Sequence, residues 1–262
     1  MDVMKRLKEH YEEAKQHFPE DRIVGIFLQG SQNYGLETEL SDVDTKLVIV
    51  PTFEEIAMNK PLVSTTHVRE NDEHIDFKDV RAMLQLFKKQ NMNFLEILFT
   101  EYYIINPLYK DAWEKLVVQR ENIARYNSIT NIRAMKGVAL EKYHAMEHRY
   151  PAKIAVIDKF GYDPKQLHHL LRVEEFIGKY LSGLDYEHCM RPENPAYLKE
   201  VKLGKYTLEE AREIGKKTID HITQMVDTAA VTDSNDFRVA TLIDTVQYEI
   251  MKIAVEEEFY RG

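Results

Sequence analysis

Gln29-Gly-Ser-Gln-Asn-Tyr-Gly-Leu-Glu-Thr-Glu-Leu-Ser-Asp-Val-Asp44 sets a Gly-Ser step at 30–31 and, after ten residues, two aspartates separated by one valine. It is flanked by RIVGIFLQ (22–29), a β-branched and aromatic run stopped by Gly30, and by VDTKLVIV (43–50), ended by Pro51. Both flanks read as strands. Side chains two apart on a strand share a face, so Asp42 and Asp44 project together while Val43, Leu47 and Ile49 turn to the core. Paired carboxylates repel unless a cation lies between them, and an oxygen-only donor set suits Mg²⁺ or Mn²⁺. The Gly-Ser turn offers backbone N–H groups and a hydroxyl to phosphate oxygens. A third acid would complete a site for two ions. In EHIDF (73–77), Ile75 and Phe77 form the apolar face, so Asp76 projects with His74 and is the candidate; Glu73 falls on the core side.

The same alternation organises the first hundred residues as helix, strand, strand, strand, helix. Val3, Leu7, Tyr11, Ala14 and Phe18 predict a helix over 2–18, and Val80, Met83, Leu84 and Phe87 predict another over 78–90. Beyond Asn106-Pro107 the pattern is helical. Asp163-Pro164 opens a helix that Gly183 closes, Thr207 and Glu210 form a capping box, and 237–258 is apolar at spacings of three and four. The expected fold is therefore α+β, with a small mixed sheet over 1–106 and an all-helical domain over 107–262 that completes the substrate cleft.

Gly30-Ser31 with Asp42-Val43-Asp44 resembles the signature of the DNA polymerase β nucleotidyltransferase superfamily. GSQNYGLETELSDVD, NFLEILF (93–99) and GYDPKQLHHLLR (161–172) together are similar to its predicted RNA-repair-associated family, although Met92 stands where that family carries proline. The resemblance implies a nucleotidyltransferase, with Gly30 and Ser31 on the triphosphate of an NTP such as ATP. Asp42, Asp44 and Asp76 would hold two Mg²⁺ (or Mn²⁺), and an RNA 3′ end would be the acceptor. Transfer to a protein or small molecule, and a non-catalytic nucleotide-binding module, are the alternatives.

The formal charge of −9 speaks against a duplex-DNA partner, since phosphate binding needs excess Lys and Arg. Residues 131–172 run the other way, with eight Lys or Arg against four acids. Lys165, His168, His169 and Arg172 recur at spacings of three and four as one basic stripe, of which Lys165, His169 and Arg172 are the candidate nucleotide contacts. KYHAMEHRYPAK (142–153) interleaves aromatics and cations, which suits either single-stranded RNA or a helix with Tyr packed inward. Cys189 is the only cysteine, so neither an internal disulfide nor a Cys-based zinc cluster is available. No P-loop, G-x-G-x-x-G or nucleophile elbow occurs. No apolar run approaches the roughly 20 residues of a membrane span, and 1–18 has no signal-peptide core. The expectation is a cytoplasmic protein without a membrane partner. Oligomeric state is not encoded legibly.

Overall fold

Val3–Ala14 forms α1, opened by Asp2, whose carboxylate accepts the Lys5 N–H at 3.0 Å and so satisfies a first-turn donor that no helical carbonyl reaches. The computed structural model containing it describes residues 2–38, 41–234 and 236–261. After α1 the chain forms β1 (Ile23–Gln29), β2 (Asp44–Ile49), α2 (Phe53–Ala57), β3 (Ser64–Val68) and β4 (His74–Asp79). There follow α3 (Val80–Lys88), α4 (Met92–Leu95), β5 (Tyr103–Ile105), α5 (Lys110–Val118) and α6 (Arg120–Ala124). The five strands make one mixed sheet in the order β3-β4-β2-β1-β5. β2 and β4 run parallel and the other neighbours antiparallel.

The alternation anticipated for β2 and β4 governs both faces of this sheet. Leu47, Ile49, Ile75 and Phe77 join Ile23 and Ile26 of β1 under Leu7, Tyr11 and Ala14 of α1. Burying such side chains is worth about 1.5–3 kcal/mol each. A register irregularity between Ile23 and Gly25 is what lets Ile23 and Ile26 reach the same side. On the opposite side Phe27 stacks on Trp113 of α5 at 4.8 Å, and Trp113 meets Phe87 of α3 at 6.3 Å.

Two strands are additional to the three read from sequence. β3 is an exposed edge of polar Ser, Thr and His, and β5 is three residues long. Neither carries an apolar alternation long enough to register as a strand.

Beyond Asn127 come α7 (Ser128–Ala145), α8 (Ile154–Phe160), α9 (Pro164–Leu181), α10 (Tyr186–Met190), α11 (Pro195–Lys202) and α12 (Leu208–Asp227). α9 is the hub of this group, packing against α7, α10, α11 and α12 through Leu167, Leu170, Val173, Phe176 and Tyr180. Its caps match the sequence reading: Asp163 accepts the Lys165 N–H at 3.0 Å, Pro164 takes the first turn, and Gly183 follows the last with φ +85°. Thr207 and Glu210 form the capping box that starts α12.

The final helix, α13 (Phe237–Arg261), returns to α3 and α5, with Lys88 on Asp244 at 2.5 Å and Lys115 on Glu249 at 2.6 Å. The described residues of Met1–Asn33, Glu39–Asn127 and Ser234–Gly262 accordingly make one compact unit, and Tyr34–Thr38 with Ser128–Asp233 the other. This divides the chain elsewhere than the expected 106/107 boundary. The reason is physical: Trp113 completes the core on Phe27, and α13 covers α3 and α5, so both helices belong with the sheet. The architecture is α+β, a mixed sheet with helices and a separate helical unit.

Candidate active site

β1 and β2 pair with Gln29 opposite Asp44. The Gly-Ser turn that leaves β1 and the Asp-Val-Asp segment that enters β2 are therefore neighbours at one end of one strand pair. Gly30 has φ +104°, a backbone region that L side chains avoid, and it delivers Ser31 into a 3-10 turn over Ser31–Tyr34. The turn is pinned from several sides. Asn33 donates through Nδ2 to the Leu28 carbonyl at 3.1 Å and accepts from Thr100 Oγ1 at 2.7 Å. Gln32 Nε2 donates to the Asp42 carbonyl at 2.7 Å, tying turn to acids directly.

Asp42 is exposed and lies just ahead of β2. Asp44, the first residue of the strand, is 39% exposed; its Oδ1 accepts the His74 N–H at 3.0 Å and faces His74 Nδ1 at 3.1 Å. Asp76 lies on β4 opposite Lys46 of β2, on the face that strand parity assigns it. It does not join the first two in a ligand cluster. Lys46 Nζ lies 3.4 Å from its Oδ2 and Lys78 Nζ 3.4 Å from its Oδ1. Among the described residues no group of three or more His, Cys, Asp or Glu side chains is arranged to hold a metal ion. Asp42, exposed, and Asp44, half-exposed, are the two carboxylates here whose donor chemistry would suit a hard divalent cation. The carboxamide that binds the Asp42 carbonyl also leaves its own Oε1 buried without a hydrogen-bond partner among the described residues.

Lys46 was not singled out from sequence. Its side chain is 3% exposed, and its ammonium sits 4.1 Å from the centroid of the Phe94 ring. Burial pulls its pKa down to about 8, against the opposing pull of Asp76. The available signal was a cation directly ahead of the apolar run LVIV (47–50), at a position of opposite parity to Leu47 and Ile49.

Glu73, set aside as core-facing, is buried and has a different task. It accepts the Val43 N–H at 3.2 Å, His10 Nε2 lies 2.9 Å away, Arg69 Nη1 donates at 2.9 Å, and Arg6 closes the cluster as a two-point ion pair. Burial alone would raise the Glu73 carboxyl, but hydrogen bonds from Arg6, His10 and Asn71 outweigh it and hold the pKa at about 2. Glu73 is therefore an anionic post that holds the backbone between Asp42 and Asp44. His10 bridges it to Thr45 Oγ1 at 3.0 Å, and burial pushes its own pKa below the usual value.

In the helical unit the basic stripe is divided. His168 is buried, with Nδ1 donating to the Leu198 carbonyl at 2.8 Å, so it packs inward and does not share a solvent face with its neighbours. Burial lowers its pKa to about 4 and that of His169 well below the usual value. Lys165 is exposed. Arg172 lies 4.1 Å above the Tyr34 ring, within cation–π range. Several cations that make 131–172 basic are matched inside this unit: Lys136 by Asp227, Lys142 by Glu141, Arg149 by Asp158 and Lys153 by Asp163. In KYHAMEHRYPAK, Tyr143 packs against Gly215 and His148 lies on Tyr150, with centroids 4.1 Å apart.

No protein-family profile and no curated protein matches the chain. Among solved structures it is similar to a nucleotidyltransferase-like protein from Exiguobacterium sibiricum, with 10% identity, 95% of this chain and 80% of that chain covered, and a TM-score of 0.32. Among the described residues no helix is long and apolar enough to cross a membrane.

Proposed function

We propose that the sheet unit catalyses nucleotidyl transfer from an NTP to an acceptor hydroxyl. One observation carries the reading: Gln29 pairs with Asp44, so a turn suited to phosphate oxygens adjoins a carboxylate pair suited to a divalent cation. In the reaction the acceptor oxygen forms a bond to the α-phosphorus, the bond from that phosphorus to the bridging oxygen breaks, pyrophosphate leaves, and the hydroxyl proton passes to water. Ser31 and the N–H groups after Gly30 would hold the triphosphate, and Asp42 and Asp44 would hold Mg²⁺ or Mn²⁺. When bound, such an ion offsets charge on the transferring phosphoryl group. Lys165, His169 and Arg172 are proposed as phosphate contacts of the helical unit, with His169 acting as a neutral hydrogen-bonding group. An RNA 3′ end is the proposed acceptor, on the resemblance of the Gly30–Asp44, 93–99 and 161–172 motifs.

A second reading, a nucleotide-binding module without turnover, is favoured by the engagement of Asp76 with two lysines. Both are separated by incubating the protein with each labelled NTP, Mg²⁺ or Mn²⁺ and total RNA, with Asp42→Asn in parallel. Label on RNA, lost in the variant, supports transfer to RNA; label on protein moves the acceptor; NTP retained without transfer supports the binding module.

A further inference from the structure

The acids on the β2–β4 face do not stand alone. Asp76 bridges two ammonium groups, Lys46 at 3.4 Å and Lys78 at 3.4 Å, and both lysines flank the Phe94 ring at 4.1 and 5.4 Å from its centroid. Lys78 is fixed further by Ser64 Oγ at 2.6 Å. Lys46 is almost wholly enclosed, and an enclosed ammonium is tolerated only with a counter-charge in place. If Asp76 turned to ligate a divalent cation, Lys46 would lose its carboxylate and face a second positive charge at short range. Each oxygen of Asp76 already faces an ammonium, so ligating a cation would weaken at least one of these pairings, and the burial of Lys46 favours keeping them.

Resting on the nucleotidyl-transfer reading, we infer that Asp76 is the ion-pair partner of Lys46 and Lys78 and that the site seats one divalent cation, on Asp42 and Asp44. Lys46 then supplies, from the protein itself, the positive charge that a second ion would bring to this face. Its role is that of a positioning residue: it keeps Asp76 out of the ligand set. The charge balance points the same way: Asp42, Asp44 and Asp76 against Lys46 and Lys78 leave a net −1, which one divalent ion takes to +1 and two ions would take to +3.

The test is a Mn²⁺ titration followed by electron paramagnetic resonance, on the full-length protein without nucleotide, with circular dichroism melts to establish that each variant is folded. The expected result is one Mn²⁺ per chain, weakened at least tenfold by Asp42→Asn and changed less than twofold by Asp76→Asn. Because Asp76→Asn strands Lys46 and risks unfolding, the paired variant Lys46→Met with Asp76→Asn is measured beside it and should also bind one ion. Two Mn²⁺ per wild-type chain, or loss of binding in a folded Asp76 variant, overturns the inference and leaves the transfer reading intact. No Mn²⁺ on the wild type, with no labelled product in the transfer assay, overturns both.

Discussion

The Glu73 carboxylate accepts the Val43 N–H at 3.2 Å, so a buried anion just ahead of β4 fixes the one residue that separates Asp42 from Asp44. The candidate site is thus held from behind, through the sheet, by Arg6, His10 and Arg69.

Glu73→Gln keeps the shape and removes the charge on which these groups converge, leaving Arg6 and Arg69 facing a neutral amide. A loss of about 3 kcal/mol is expected from breaking a buried ion cluster on one side. The pH dependence has a fixed sign. The folded carboxyl titrates at about 2 against an ordinary 4.5, so its contribution is complete above pH 4.5 and is lost as pH falls toward 2. Urea unfolding between pH 7 and 3 checks this: wild type should lose the difference in acid, and the variant should show a flatter curve.

His168 makes the helical unit acid-sensitive in a higher window. Its pKa of about 4 lies below the ordinary 6.5 because it is buried, with Arg172, Lys202 and Lys165 adding to the effect. A depressed folded value means that stability is full above pH 6.5 and declines as pH falls to 4, by about 3 kcal/mol from this group. In His168→Asn the amide nitrogen replaces Nδ1 toward the Leu198 carbonyl, and that part of the slope should vanish. An unchanged slope between pH 6.5 and 4 would assign the sensitivity elsewhere.

Gly30→Ala isolates backbone conformation from packing, because a Cβ at this position meets only Gln32 Oε1 at 4.0 Å. The cost is therefore the φ of +104°, about 1–3 kcal/mol. Chemical denaturation measures it. Nucleotide affinity should fall at the same time, since the turn that presents Ser31 must relax.

Tyr34 and Arg172 should be energetically coupled. A double-mutant cycle with Tyr34→Leu and Arg172→Met is expected to give a coupling of about 0.5–2 kcal/mol. Additive single effects would show that the 4.1 Å stacking contributes no stability.

Where side-chain parity is the controlling variable, the sequence is a sufficient guide. In VDTKLVIV and EHIDF, residues two apart share a face, and Leu47, Ile49, Ile75 and Phe77 accordingly meet in one core, while Val48 and Val50 are buried as well. The caps of α9 and α12 are equally local, since Asp163, Thr207 and Glu210 act within one helical turn. What escapes is decided by distant partners. Glu73 reads as a misplaced acid until Arg6, 67 residues away, is beside it. Lys46 and Asp76 are 30 residues apart and meet only because β2 and β4 run parallel in register. The stripe on α9 divides because α11 supplies the Leu198 carbonyl that draws His168 inward.

α13 is synthesised after the entire helical unit, yet it packs on α3 and α5 and reaches back to α2, where Glu258 accepts the Phe53 N–H at 2.7 Å. In chain order the helical unit is an insertion within the sheet unit. On the ribosome the helical unit has all its residues while the first lacks a piece of its surface. A chain cut after Asp233 would uncover α3 and α5 of the sheet unit, far away in sequence, while leaving the helical unit with all its residues.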